Sequence, residues 1–262
     1  MNNPILKDII QTANPDPIAC PICDEQSFLC GVVDFHKSCL EERGQKLNLL
    51  GIPVYYRRCR KCGFIFCDTF KDWSPDEFRH HIYNADYKIV DPDYENARPV
   101  ANAGLLQELF QHRLGPLRLI DYGGGNGRCA ALLRTVGVDA HSYDPFSIHD
   151  LRPPQKADIV TAFEVMEHTT RPRETLSDIL SMLNDDGLVL FSTVFQPGNI
   201  GKIMTDWWYI GPRNGHVSIF SRESATILFN NYGFNIASIS DGMHFAFKTV
   251  PSFAAHLIHR GS

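Results

Sequence analysis

The chain has 262 residues, a formal net charge of -5 at pH 7 and a sequence pI near 6.1, with 44% hydrophobic and 21% charged residues. This composition predicts a folded globular protein with one sizeable core and room for a small accessory module. The net negative charge argues against a nucleic-acid or anionic-membrane partner. The sequence contains no uninterrupted run of eighteen apolar residues, so no membrane-spanning helix is predicted.

The N-terminal residues predict no export signal, because MNNPILKDII has neither a basic start nor a long apolar run. The eight cysteines are therefore expected to be reduced thiols or metal ligands. On this basis we expect a cytoplasmic protein.

Residues 1–70 carry two C-x-x-C knuckles, Cys20 with Cys23 and Cys59 with Cys62. Two such turns can supply the four thiolates of a structural zinc site, which predicts a small N-terminal zinc ribbon. The long gap between the knuckles predicts an inserted loop or hairpin. A redox role for one pair is the alternative, but it leaves the second pair unexplained.

Residues 71–100 are rich in aromatic residues, Asp, His and Pro, and predict a linker or lid with short helical turns. In residues 101–262, apolar runs alternate with amphipathic stretches, as in a parallel sheet covered by helices. The last two predicted strands, near 234–239 and 244–249, are joined by a short turn and form an antiparallel hairpin. We therefore expect an α/β domain with a Rossmann-like, doubly wound, mostly parallel sheet and an antiparallel last strand.

A glycine-rich turn joins the first predicted strand of this domain to the next helix. It reads D-x-G-x-G-x-G, from Asp121 through Gly123 and Gly125 to Gly127. Glycine lets the backbone turn sharply and approach a ligand, and the helix N-terminus presents unpaired N–H groups. A dinucleotide turn usually has G-x-G-x-x-G, but Arg128 occupies the third glycine position here. Asp121 is instead suited to meet the ammonium of an amino-acid-bearing ligand.

Two further motifs follow at fixed distances. Asp144 ends the predicted second strand, where a carboxylate can accept hydrogen bonds from both hydroxyls of a ribose. The segment from Asp158 to His168 reads D-x-V-x-x-x-x-V-x-E-H. Glu167 and His168 could be catalytic there, but the interpretation we favour is that they fix the loop by hydrogen bonds.

These motifs together resemble those of class I S-adenosylmethionine-dependent methyltransferases. The resemblance implies that Asp121 approaches the methionine part of the cofactor, and that Glu164 and Val165 flank the cofactor at the end of their strand. Asp150 is a weak candidate for the contact with adenine, because the span between Asp144 and Asp158 is short.

The zinc ribbon, a Tyr-x-x-x-Tyr segment from Tyr83 to Tyr87 and the methyltransferase core together resemble a bacterial group that includes sugar C-methyltransferases. The resemblance implies a small polar acceptor, such as a nucleotide-linked sugar. A non-sugar metabolite is an alternative acceptor. A third hypothesis is a catalytically silent protein that binds zinc and the cofactor.

The candidate catalytic residues are His216, Tyr209 and His168. His216 is the first choice for a general base, because the pKa of histidine suits proton removal near neutral pH. A structural role for His216 stays open. Tyr209 belongs to an aromatic segment that can cover a sulfonium and exclude water from the acceptor.

Overall fold

The computed structural model describes residues 16–147 and 151–258. The strands are β1 (Ile18–Ala19), β2 (Gln26–Asp34), β3 (Pro53–Cys59), β4 (Ile65–Cys67), β5 (Arg118–Tyr122), β6 (Asp139–Tyr143), β7 (Ala157–Ala162), β8 (Leu183–Ser192), β9 (Ser218–Ile219), β10 (Asn235–Ser238) and β11 (Met243–Phe247). The helices are α1 (Pro75–His81), α2 (Tyr87–Val90), α3 (Ala97–Phe110), α4 (Arg128–Thr135), α5 (Pro172–Ser181), α6 (Ile200–Ile203), α7 (Arg222–Asn230) and α8 (Ala255–Ile258). None of the helices in the described ranges has the length and apolar character needed to cross a bilayer.

The chain forms two compact units, and each draws on separate stretches of sequence. The first unit consists of the described residues up to Pro92 together with Glu167–Pro172 and Val194–Leu228. The second consists of Asp93–Met166, Arg173–Thr193 and the described residues from Phe229 onward. The predicted division near residues 70 and 100 stays a prediction.

The first unit contains a five-stranded antiparallel sheet in the order β1-β2-β3-β4-β9. Its longest element is the hairpin of β2 and β3, which lies between the two cysteine knuckles and confirms the predicted insertion. Beside the sheet, Phe35 and Phe78 both make edge contacts with Phe70, with ring centroids 5.9 and 6.4 Å away. This aromatic cluster gives the unit an apolar core of its own.

The second unit contains a six-stranded mixed sheet in the order β10-β11-β8-β7-β5-β6. Strands β6, β5, β7 and β8 are parallel, while β11 runs antiparallel to β8 and to β10. The predicted α/β sheet and its terminal antiparallel hairpin are therefore confirmed. Its core combines apolar residues of helices α3 and α4 with those of the strands, among them Leu106, Phe110, Leu133, Leu190 and Phe245.

The strand order places a crevice at one edge of the second unit's sheet. From β5 the chain goes first to β6 on one side and then to β7 on the other, so the order reverses at β5. In open α/β sheets, ligands bind at the carboxyl ends of the strands where the order reverses. Those ends lead directly into the glycine turn after Tyr122 and into the loop after Ala162.

Candidate active site

The glycine turn has a backbone that residues with side chains rarely adopt. Gly123, Gly125 and Gly127 have φ angles of 71°, 57° and 72°, all in the left-handed region. A Cβ on Gly123 would lie 2.5 Å from Cγ2 of Val165, whereas a Cβ on Gly125 would meet nothing within 4 Å. The turn is thus packed tightly against Val165 at its start and open at Gly125, where a ligand can approach the backbone.

The carboxylate of Asp144 lies against this turn. It directly follows β6, and its Oδ2 accepts a hydrogen bond from the Gly125 N–H at 3.0 Å. Its Oδ1 accepts one from the Phe146 N–H at 2.8 Å. Two backbone groups therefore fix the orientation of this carboxylate beside the open part of the turn.

Asp121 is buried beneath the turn, with 4% of its surface exposed. Its Oδ1 accepts a hydrogen bond from the Thr161 hydroxyl at 2.7 Å, and its Oδ2 lies 2.8 Å from the position of a Cβ on Gly124. Burial raises the pKa of Asp121 to about 6, the Asp144 charge acting in the same direction, while the Thr161 hydrogen bond opposes the shift. The structure thus places this acid where it supports the turn; its contact with a ligand ammonium stays a prediction.

Glu164 and Val165 lie in the loop after β7. Glu164 has a φ of 54°, which is unusual for a residue with a side chain. Its N–H donates to the Ser192 hydroxyl at 2.8 Å, and that hydroxyl donates to Glu164 Oε1 at 3.0 Å. Such strained residues concentrate at functional sites, and Val165 from the same loop meets the glycine turn.

In the first unit, a second polar cluster brings together Glu167, His168 and His216. One carboxylate oxygen of Glu167 and one ring nitrogen of each histidine all lie within 4.8 Å of one another. Glu167 is 0% exposed, and its Oε1 accepts a hydrogen bond from the Tyr209 hydroxyl at 2.5 Å. The Val194 N–H donates to the same hydroxyl at 3.1 Å. The cluster is close enough to share a proton or a cation.

Hydrogen bonds fix the ring of His216, which is 5% exposed. Its Nδ1 lies 2.9 Å from the Tyr209 carbonyl oxygen and 3.4 Å from the Cys39 sulfur. A carbonyl oxygen only accepts, so Nδ1 carries the proton and the lone pair of the neutral ring is on Nε2. Nε2 is therefore the basic atom of His216.

His168 is oriented by the backbone in the same way. Its Nδ1 lies 3.2 Å from the Gly215 carbonyl oxygen and 3.0 Å from the Tyr83 hydroxyl. A Cβ on Gly215 would lie 2.8 Å from that hydroxyl and 3.1 Å from Nδ1 of His168, so only glycine fits there. The rings of His168 and His216 are 4.9 Å apart, centroid to centroid.

The structure thus brings together the three candidate catalytic residues and places Tyr83 and Glu167 in contact with them. Tyr83 belongs to the Tyr-x-x-x-Tyr segment noted above, but nothing in that pattern indicates a histidine partner. Glu167 was interpreted as a loop-fixing residue, and its hydrogen bond to Tyr209 spans 42 positions of sequence. No local spacing could have indicated that contact.

The four cysteines of the knuckles also converge within the first unit. Their sulfur atoms all lie within 4.8 Å of one another, with 3.7 Å between Cys20 and Cys62 and 3.5 Å between Cys23 and Cys59. The hydrogen bond with Cys62 lowers the pKa of Cys20 to about 5. Sulfurs around a tetrahedral zinc are about 3.8 Å apart, since each Zn–S bond is about 2.3 Å. The four thiols therefore fit a tetrahedral cation, and their convergence across both knuckles does not fit a single redox pair.

A family comparison adds an independent finding. The model of the methyltransferase domain family matches residues 94–239, which is more than half of the chain. The chain belongs to this methyltransferase family. No curated protein matches it.

Solved structures of methyltransferases are similar to part of this chain. An O-methyltransferase family protein from Burkholderia thailandensis is 14% identical with a TM-score of 0.50, and the match covers 69% of this chain and 64% of that one. This chain thus spans less than two thirds of that protein. The magnesium protoporphyrin IX methyltransferase of Synechocystis PCC 6803, solved with bound SAH, is 15% identical with a TM-score of 0.43, covering 70% of this chain and 97% of that one.

Proposed function

We propose that this methyltransferase uses S-adenosylmethionine as its methyl donor and transfers the methyl group to a small polar acceptor. The observation that carries the proposal is the open glycine turn, with the carboxylate of Asp144 fixed against Gly125. A backbone free of side chains with an adjacent carboxylate suits a nucleoside whose ribose hydroxyls need acceptors.

The cofactor residues we propose all belong to the second unit. Asp144 accepts hydrogen bonds from the ribose, and the turn formed by Gly123, Gly125 and Gly127 lies along the cofactor. Asp121 supports the turn and supplies negative charge toward the ammonium, while Glu164 and Val165 flank the cofactor from the neighbouring loop. Asp150, the weak adenine candidate, lies outside the described residues.

The acceptor side is assigned to the cluster of the first unit. S-adenosylmethionine supplies a methyl group on a sulfonium, and the acceptor attacks it in line, so the protein must align the acceptor and remove its proton. Nε2 of His216 accepts that proton, and the buried carboxylate of Glu167 stabilises the resulting imidazolium. Tyr209 orients Glu167 through its hydroxyl, and His168 contacts the acceptor.

The chain order is consistent with these two roles. Met166 alone separates Val165 of the second unit from Glu167 of the first.

The remaining assignments concern the metal, the acceptor and the compartment. We propose that Cys20, Cys23, Cys59 and Cys62 hold a structural zinc ion, because a site of four cysteines leaves no open position for catalysis. A sugar, free or linked to a nucleotide, is the proposed acceptor. None of the eight cysteines forms a disulfide, which is consistent with a reducing compartment such as the cytoplasm.

The proposal is tested by cofactor binding to the purified chain. Calorimetry should show binding of S-adenosylmethionine and of its demethylated product. Asp144→Ala removes the hydrogen bonds to the ribose and should weaken binding by about 2 kcal/mol, or about 30-fold.

Asp139→Ala is the matched control, because Asp139 begins the same strand and is paired with Arg118. It should bind the cofactor as the wild type does. Absence of any binding by the wild type would refute the proposed function, and equal affinities of the two variants would refute the role of Asp144.

A further inference from the structure

Arg213 is a buried cation next to the acceptor cluster. It lies in the 3-10 turn Pro212–Asn214, directly before Gly215 and His216, and its side chain is 5% exposed. Its backbone N–H donates to the carbonyl oxygen of Lys37 at 3.1 Å. This contact ties the turn to another segment of the first unit.

Few hydrogen bonds compensate the burial of this guanidinium. Nη1 donates to the Ile82 carbonyl oxygen at 2.9 Å, and Nη2 donates to Asn84 Oδ1 at 3.3 Å. A guanidinium has five N–H donors, so three have no acceptor among the described residues. Desolvation lowers the pKa of Arg213, only partly offset by Tyr87 and Asp86, and no carboxylate of the described chain forms an ion pair with it.

A second buried arginine of the same unit shows the usual arrangement. Arg57 is 1% exposed, forms an ion pair with Asp68 and also donates to the Asp16 carbonyl oxygen. Burying an unpaired charge costs several kcal/mol, which is why buried arginines are normally matched by an anion. Arg213 lacks the anion that Arg57 has.

The partners of Arg213 place it beside the candidate catalytic groups. Ile82 and Asn84 flank Tyr83, whose hydroxyl lies 3.0 Å from Nδ1 of His168. Arg213 itself lies in the turn that leads into His216. The guanidinium thus joins the two segments that supply Tyr83 and His216.

We propose that Arg213 binds an anionic oxygen group of the methyl acceptor, either a phosphoryl or a carboxylate group. The inference rests on the proposed function, because it takes the cluster of Glu167, His168 and His216 as the acceptor site. The planar fork of an arginine matches two oxygens of such a group, and its unused donors supply the hydrogen bonds. The acceptor is then an acidic small molecule, and the anion orients it for attack.

A role limited to tying Ile82 and Asn84 to the turn is the competing explanation. It predicts that loss of Arg213 lowers stability and leaves anion binding unchanged. The two explanations therefore differ in anion affinity, which can be measured without knowing the acceptor.

The experiment titrates inorganic phosphate and, separately, acetate into the zinc-loaded chain and follows backbone and arginine N–H signals by NMR. Wild type should bind one of the two anions saturably. Arg213→Met, which keeps much of the apolar volume, should bind that anion at least tenfold more weakly. Arg222→Met removes an exposed charge of the same unit, stacked over Phe195, and should bind it as the wild type does.

Arg213→Lys keeps the positive charge but lacks the planar guanidinium, and it replaces the methionine variant if that variant does not fold. Its affinity for the anion should also fall. Binding of phosphate alone indicates a phosphorylated acceptor, and binding of acetate alone indicates a carboxylate. No saturable binding by wild type, or equal affinity in the Arg213 variants, overturns the proposal. Cofactor affinity of the same samples separates this outcome from failure of the proposed function.

Discussion

At the scale of single residues, Asp121 links the glycine turn to the energetics of folding. Its carboxyl is buried and accepts a hydrogen bond from the hydroxyl of Thr161. A buried carboxyl with a raised pKa favours the protonated form, so the folded protein binds this proton more tightly than the unfolded chain does. The glycine turn therefore lies next to a group that costs stability when it is ionised.

This cost predicts a pH dependence. The contribution of Asp121 to stability is fully present below its unfolded pKa of 3.8 and is lost as the pH rises through its folded pKa of about 6. Between pH 4 and pH 7 the wild type should lose about 3 kcal/mol of unfolding free energy relative to Asp121→Asn, since one pKa unit is worth about 1.4 kcal/mol. Urea unfolding at several pH values measures the difference.

Asp139→Asn is the control with the opposite sign. The hydrogen bond from Arg118 lowers the pKa of Asp139, so its contribution is present above its unfolded pKa and is lost as the pH falls. Unfolding free energies of wild type and Asp121→Asn that stay parallel across the range would contradict the assigned burial of the charge.

At the scale of elements, helix α7 begins with a capping arrangement that the sequence predicts. Ser221 precedes the helix, and its hydroxyl accepts a hydrogen bond from the Ser224 N–H at 2.9 Å. The Ser224 hydroxyl in turn accepts one from the Ser221 N–H at 2.9 Å. Local sequence predicts this cap, because Ser221 and Ser224 have the spacing of an N-cap residue and its N3 partner.

The same hydroxyl has a second partner that spacing cannot reveal. Ser221 Oγ donates to the carbonyl oxygen of Cys62 at 2.6 Å, across 159 positions of sequence. The helix is thereby tied to the second knuckle of the cysteine site. Both contacts lie in the first unit.

Ser221→Ala should therefore cost more than an ordinary cap. Loss of the cap costs about 1 kcal/mol and loss of the bond to Cys62 about 1 kcal/mol more. Ser74→Ala, which removes the capping box of α1, is the matched control and should cost about 1 kcal/mol. Urea unfolding followed by tryptophan fluorescence measures both, and equal losses would show that the bond to Cys62 contributes nothing.

The elements of the second unit could be predicted because local signals agree there. The apolar run before Gly123 predicts β5, and the glycine at position 127 predicts the start of α4. The apolar run from Leu188 predicts a strand, but in the structure β8 begins at Leu183, because Leu183 pairs with Ala157 of the neighbouring strand. That pairing depends on tertiary contacts and leaves no trace in the local pattern.

At the scale of the whole molecule, sequence analysis is limited because the first unit is assembled from separate stretches of the chain. The cysteine knuckles and the spacing of the glycine turn were readable, since each depends on residues close in sequence. The contacts of Glu167 with Tyr209 and of His168 with Tyr83 were not, because these residues come from three separate stretches of the chain. The burial of Arg213 could not be predicted either, because the residues next to it in sequence give no indication of it.

The division of residues between the two units gives a test of the metal site. The first unit contains the four knuckle cysteines, the cluster of Glu167, His168 and His216, and all three tryptophans, Trp73, Trp207 and Trp208. The proposed cofactor residues belong to the second unit. Tryptophan fluorescence therefore reports on the first unit alone. We expect about one zinc ion per purified chain. Its removal by a chelator should shift the tryptophan emission to longer wavelength, because the unit loses the ion that closes its knuckles.

Cys59→Ser should reproduce the effect of the chelator, since it removes one of the four ligands. Cys30→Ser is the matched control, because Cys30 lies outside the cluster and its thiol donates to the Tyr56 carbonyl oxygen at 3.2 Å. That variant should keep its zinc and its emission spectrum. If metal-free wild type showed the same emission and the same unfolding midpoint as zinc-loaded protein, a structural role for zinc would be contradicted. The cluster of Glu167, His168 and His216 would then owe its geometry to the packing of the first unit alone.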